Sequence, residues 1–329
     1  MRYALSLARN ARSVQVRRVN AKNDSDGLLV RPREIHSFRK PMLLRYYLNP
    51  LTRIVSNNFA RTCYLDGFSG PGVVRFTLGN EHYDIDGSPL IALRAKPGFT
   101  DYYFCDSDKR SRDALETRIG EIQVSRNVEV LPAQDFNVCL PSILSVIPAD
   151  CFIFAFLDPD GLTLDWSTVA SIGSRRHKEL LINFSNGVAR CAQTARTNPK
   201  HRERMKSFMG SDDEWWHYTS EEILDTYKTN LKSLGTGFKH VLDLPVKNQT
   251  QTIVYNLLFA TNNDTAVKIL RDRMRRLEGL TTEHLRVLFL REQGEEVEDL
   301  APFLEGAKRI DRREPDPRQT QLLKYVKII

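Results

Sequence analysis

The stretch Thr62-Cys63-Tyr64-Leu65-Asp66-Gly67-Phe68-Ser69-Gly70-Pro71-Gly72 decides the fold. A short β-favouring run leads directly into an acid and then into three closely spaced glycines. Glycines at 67, 70 and 72 let the backbone turn sharply and approach a ligand closely. An acid at the carboxyl end of a strand accepts hydrogen bonds from a ligand's cationic or hydroxyl groups. Alone, such a segment is also what a surface turn looks like. Its meaning comes from its surroundings.

Downstream the chain alternates. A helix is predicted over 87–95, with Ser88 as N-cap and Pro89 in its first turn. Strands are predicted at 62–65, 101–105, 127–131, 151–157 and 179–184, and helices at 109–122, 136–146 and 166–172. This alternation predicts an α/β protein with a mostly parallel sheet, covered by helices on both faces. Upstream, Leu43, Leu44, Tyr47, Leu48, Leu51 and Ile54 recur at helical spacing, with Pro41 in the first turn and Pro50 set to kink or end the helix. Segment 188–234 breaks the rhythm and reads as a helical insertion, with Trp215 and Trp216 as its core anchors. Runs at 238–244 and 252–260 read as an antiparallel pair, closed by a helix over 264–277. The chain thus divides into a basic arm (1–35), a core (36–187), an insertion in position to act as a substrate lid (188–236), the last strands and helix of the core (237–278), and a C-terminal appendage (279–329).

The 329 residues are 41% hydrophobic and 27% charged, which suits a folded domain with a substantial core. No apolar run approaches the roughly 18 residues needed to span a bilayer, and no apolar signal-peptide core opens the chain. A soluble, cytoplasmic protein is expected, without a membrane partner. The formal charge of +7 is uneven: through Arg61 there are 13 basic side chains against 3 acidic ones. Such a leader is either an electrostatic handle for nucleic acid or a solvated tail. Its acid-free, Arg-rich start also has the composition of an organelle transit peptide. The five cysteines are widely spaced without a CxxC pair, so they read as buried thiols rather than a zinc site or disulfide framework.

The chemistry lies at the strand tips. The second strand of the alternation ends in Tyr103-Phe104-Cys105-Asp106, where a ribose-gripping acid is expected. The third leads to Ala133-Gln134-Asp135-Phe136, with an acid to bind an adenine amine and a ring to pack on it. The fourth ends in Phe156-Leu157-Asp158-Pro159-Asp160-Gly161. Each acid alone is equally a helix cap. Four in succession are expected to converge on one cleft. Asn183, after the fifth strand, either lines an acceptor pocket or turns the chain. Lys40, in Phe38-Arg39-Lys40-Pro41, reads as surface charge rather than a catalytic group. A nicotinamide-dependent dehydrogenase would share the glycine loop and the ribose acid. Asp66 at the head of the loop, Asp158-Pro159 and the late antiparallel pair argue against it.

This ordering resembles the class I S-adenosylmethionine-dependent methyltransferases. The segments Tyr64 to Gly72, Gly87-Ser88-Pro89-Leu90-Ile91-Ala92-Leu93, Phe156 to Gly161, and Tyr255 with Leu257 to Asn262 look like the three-Cys-motif partner (TcmP) family, over 36–277. The resemblance implies S-adenosylmethionine as cofactor. Its methionine end would be held by Asp66, Gly67, Phe68, Gly70 and Gly72, its ribose by Asp106, and its adenine by Asp135 and Phe136. Asp158 and Pro159 would face the acceptor. Independently of the resemblance, Asp160 reads as a turn residue or, with Asn183 and Lys40, as a candidate substrate contact. In amino-methyltransferases an Asp/Asn-Pro-Pro-aromatic tetrad orients the target NH2 and stacks on a flipped base. Here the tetrad reads Asp158-Pro159-Asp160-Gly161, without its aromatic, so Trp166, Phe184 or another ring must replace it. The implied activity is methyl transfer to nucleic acid, RNA or DNA, at the amino group of a base. The alternative is a non-catalytic, cofactor-binding subunit serving a three-Cys-motif, radical-enzyme-like protein partner.

Overall fold

The computed structural model describes residues 26–122, 125–248, 250–278, 280 and 282–292. The chain forms two units, Asn23–Leu280 and a second made of Met1–Lys22 with Thr281–Ile329. In the larger unit, strand β1 (Arg31–Arg33) and a 3-10 turn lead into helix α1 (Arg39–Asn58). Then come β2 (Thr62–Asp66), the hairpin β3 (Val73–Leu78) and β4 (Glu81–Asp86), α2 (Ser88–Arg94), β5 (Asp101–Phe104) and α3 (Lys109–Gly120). The alternation continues through β6 (Asn127–Val130), α4 (Phe136–Val146), β7 (Phe152–Leu157), α5 (Trp166–Gly173) and β8 (His177–Ser185). Helices α6 (Gly187–Ala195), α7 (Pro199–Met209) and α8 (Ser220–Lys232) form the insertion, before β9 (His240–Lys247), β10 (Ile253–Thr261) and α9 (Asp264–Glu278). The second unit contributes one described helix, α10 (Thr282–Glu292).

The main sheet has seven strands in the order β6-β5-β2-β7-β8-β10-β9. Neighbours from β6 through β8 pair in parallel, while β10 runs antiparallel to both β8 and β9. This is the mostly parallel, Rossmann-like α/β arrangement the sequence predicts, including the antiparallel pair at its end. The central strands β2 and β7 are buried at every residue, as parallel strands covered on both faces must be. One face packs Cys63, Leu65, Ile153, Ala155 and Leu157 against Phe136, Leu140, Val169 and Ile172. On the other, Tyr64 stacks on Phe154 and meets Phe99, Tyr102 and Phe104.

Three features depart from the sequence reading. The glycine loop does not run directly into α2: β3 and β4 intervene, joined at Gly79, whose φ of 64° fits a two-residue hairpin turn. Their small sheet has the order β1-β3-β4, because Arg31–Arg33 of the Arg-rich segment pairs in parallel with Val74 to Phe76. Pro50 does not end α1, which continues to Asn58. In the insertion, Trp215 is 2% exposed, while Trp216 is partly buried under the Arg202 guanidinium, 4.9 Å from its ring centre. All five cysteines are free and buried.

Candidate active site

Strand order reverses between β2 and β7: from β2 the chain builds outward through β5 and β6, then returns to lay β7 on β2's other side. In open α/β sheets such a switch point leaves a crevice at the carboxyl ends of the strands. Asp66 is paired in register with Phe104 on one side and Phe156 on the other, so Asp106 and Asp158 emerge two residues beyond at the same edge.

The glycine loop is folded around these acids. Asp66 is fully buried; its carboxylate accepts from the Phe68 amide and the Tyr64 hydroxyl, each at 3.3 Å, and is bonded by Ser88. Burial pushes its carboxyl up to about 7, reinforced by the Asp158 charge and opposed by the bonds from Ser88, Phe68 and Tyr64. Asp106 accepts the Gly70 amide at 2.8 Å on one oxygen and the Asp108 amide at 2.9 Å on the other. Each oxygen keeps a lone pair, the capacity a hydroxyl donor needs. Gly67 lies against the Phe136 ring, only 2.5 Å from where a Cβ would sit. Gly70 and Gly72 hold φ values of 61° and 86°, where other residues are strained. Phe68 meets Phe136 edge-on at 6.0 Å.

Asp158 holds the other wall. The Lys40 ammonium lies 2.7 Å from both its oxygens, and Asn183 Nδ2 donates to Oδ1, also at 2.7 Å. Lys40 is therefore not surface charge: its side chain is 8% exposed, and it also stands 4.8 Å over the Tyr255 ring. Burial would push Asp158 up, but the charges of Lys40 and Arg33 and the bonds from Lys40 and Asn183 prevail and hold it below the ordinary carboxylate value. Asn183 Oδ1 is buried without a hydrogen-bond partner, an acceptor directed to no protein donor. Pro159 is buried. Asp160 is exposed and accepts from Arg31 at 2.6 Å, with Arg33 at 3.6 Å.

A cavity of about 50 Å³ lies among these parts, walled by the glycine loop (Ser69 to Gly72), Ser88, Lys40, Asp158, Arg31 and Arg33. Of the four strand-tip acids only Asp158 lines this cavity: Asp66 and Asp106 bond the glycine loop without reaching the wall, and Asp135 stands apart. It caps α4 through the Asn137 amide at 2.8 Å and is exposed at the neighbouring strand tip. Phe136 is 2% exposed, packed in the core beneath the glycine loop. Phe184 is 1% exposed and packs on Phe208 and Tyr227, and Trp166 packs on Tyr227, so both rings are engaged in the insertion.

Sequence reasoning missed Arg31 and Arg33 as wall residues, along with the clamp that holds their segment. Arg118 of α3, 4% exposed, grips the Asp26 carboxylate at 2.6 and 2.8 Å and the Leu29 carbonyl at 2.8 Å, and also bonds the Pro71 carbonyl of the glycine loop. The signal available was Arg31-Pro32-Arg33 before an alternating Val-Val-Arg-Phe run, too short to name a strand pair.

No protein-family model and no curated protein matches the sequence. Solved structures do resemble the fold. A Legionella pneumophila protein of the DUF519 family is 12% identical with a TM-score of 0.44, over 70% of this chain and 89% of that one. The magnesium protoporphyrin IX methyltransferase of Synechocystis, in a structure with bound S-adenosylmethionine, is 10% identical with a TM-score of 0.31, over 69% and 84% of the two chains. An S-adenosylmethionine-dependent methyltransferase from Clostridium acetobutylicum is 14% identical with a TM-score of 0.25, over 44% and 52%. The likeness is one of chain course and carries no argument about activity. Among the described residues no helix is long and apolar enough to cross a membrane.

Proposed function

We propose that this chain is an S-adenosylmethionine-dependent methyltransferase that acts on an amino group, with a nucleic-acid base as the favoured acceptor. The observation that carries the reading is Asp158 at the switch point, bonded by Asn183, whose own Oδ1 lacks a donor. A buried carbonyl oxygen without a donor costs about 1–3 kcal/mol, a cost that an acceptor's N–H offsets on binding. Asn183 Oδ1 would take one amine hydrogen and Asp158 would help orient the nitrogen. S-adenosylmethionine supplies an activated methyl group on a sulfonium. Asp106 retains lone pairs for its ribose hydroxyls, and the glycine loop admits close backbone approach. The protein's part is alignment, since holding two reactants in line is itself worth several orders of magnitude in rate.

The Arg-rich leader supports a polyanionic acceptor, for which affinity falls as salt rises. Cytoplasmic residence and a three-Cys-motif partner stay part of this proposal, resting on the sequence resemblance. Methyl transfer from labelled S-adenosylmethionine to cellular RNA, DNA and protein fractions tests the activity. Incorporation into nucleic acid that Asp158→Ala abolishes supports it; no incorporation into any fraction contradicts it.

One observation favours a second reading, a cofactor-binding subunit serving a three-Cys-motif protein. Both Asp158 oxygens are already held by Lys40, and the rings of Phe184 and Trp166 are packed away. Cofactor binding without transfer, even with that partner present, selects it.

A further inference from the structure

Resting on the cofactor reading above, we propose that Arg31 and Arg33 form a subsite for the α-carboxylate at the cofactor's amino-acid end. The two side chains reach the same cavity from a strand that precedes the sheet's first helix. Arg31 Nη1 lies only 3.7 Å from where a Cβ on Gly70 would be, so the guanidinium stands directly over the glycine loop.

The charges on the wall define the ligand. Its cations are Arg31, Arg33 and Lys40, and its acid is Asp158. Lys40 and Asp158 neutralise each other. Arg31 and Arg33 share one carboxylate, Asp160, whose side chain is 63% exposed and off the cavity wall. One positive charge among these residues is left to face the cavity. A singly charged planar group with two oxygens fits a guanidinium fork best, and a carboxylate is such a group. The volume of about 50 Å³ suits a small end group, since a single water needs roughly 10–15 Å³ by the same measure.

Asp160 is then an internal substitute that keeps the two arginines poised. A cofactor carboxylate competes with it for the same guanidinium groups.

Isothermal titration of the full chain with S-adenosylmethionine and with decarboxylated S-adenosylmethionine, which lacks only the carboxylate, tests the assignment. The wild type should bind the intact cofactor at least about 10-fold more tightly, the size expected for charge-assisted bonds to one ionised group. The double variant Arg31→Gln/Arg33→Gln should bring the two affinities to within about twofold of each other. Asp160→Asn, an exposed change that leaves both arginines in place, should tighten binding of the intact cofactor alone. Equal wild-type affinities for the two compounds overturn the carboxylate assignment and leave the cofactor reading standing. Wild-type binding of neither compound overturns both. Loss of RNA binding in the double variant with unchanged cofactor discrimination assigns the arginines to acceptor phosphates, and so overturns the proposal.

Discussion

Lys40 and Asp158 are 118 positions apart in the chain, yet the Lys40 ammonium lies 2.7 Å from each Asp158 oxygen. The pair ties the start of α1 to the loop after β7, across the mouth of the switch point. With side chains 8% and 14% exposed, neither charge has bulk water as a substitute partner.

Lys40→Met should therefore destabilise the fold by about 3–5 kcal/mol near neutral pH, the usual cost of leaving a buried charge without its partner. Asp158→Asn should cost less, and the double variant less than the sum of the two. The folded state holds Asp158 below the ordinary carboxylate value. Its contribution is thus present above that value and lost as pH falls through the folded pKa. Urea denaturation at neutral pH and at about pH 3 should show the Lys40→Met deficit shrinking in acid. Strictly additive single variants would count against a coupled pair.

Asp66 has the opposite linkage. Its carboxyl titrates near 7, raised by burial. The stability it contributes is present below the ordinary carboxylate range and is lost as pH rises through about 7. Asp66→Asn should accordingly resist urea at least as well as wild type at about pH 8 and lose the fall in stability between pH 5 and 8. Affinity for the cationic cofactor should rise through the same window in wild type and stay flat in Asp66→Asn.

The Arg118 clamp fixes the segment that carries Arg31 and Arg33. Arg118→Ala removes the bonds to Asp26, Leu29 and Pro71 together, leaving two carbonyls without that donor. A loss of about 2–4 kcal/mol is expected, with faster proteolytic cleavage around residues 26–33. Asp26→Asn should give a smaller loss in the same direction. Cleavage at the wild-type rate in both variants would show that the β1–β3 pairing holds the segment without the clamp.

Gly67→Ala would bring a methyl group to within 2.5 Å of the Phe136 ring. The expected cost is about 1–3 kcal/mol from overpacking, and Phe136→Leu in the same chain should recover part of it. Thermal melts of the single and double variants measure both effects. Recovery would establish that this glycine serves ring packing as well as ligand approach.

The parallel strands were legible because burial on both faces leaves continuous apolar runs such as Phe152 to Leu157. The placement of Asp66, Asp106 and Asp158 at one edge followed from counting strand ends. The β3–β4 hairpin went unread because its polar positions, Arg75, Thr77, Glu81 and Asp84, hide an alternation that begins inside a glycine-rich stretch. The role of Lys40 is hidden from the sequence for a different reason. Its partner lies on another element, and nothing within one helical turn of a lysine reveals a carboxylate 118 residues away. Strand β1, three residues long with Pro32 at its centre, carries no periodicity at all; only the edge offered by β3 makes it a strand.

The most direct measurement is a calorimetric titration of the full chain with S-adenosylhomocysteine, which keeps the adenosyl group without the transferable methyl. Saturable one-to-one binding, weakened about 10-fold or more by Asp106→Ala, is the predicted result. Failure of the wild-type chain to bind at millimolar ligand, or binding that Asp106→Ala leaves untouched, would contradict a cofactor site at the tips of β2 and β5.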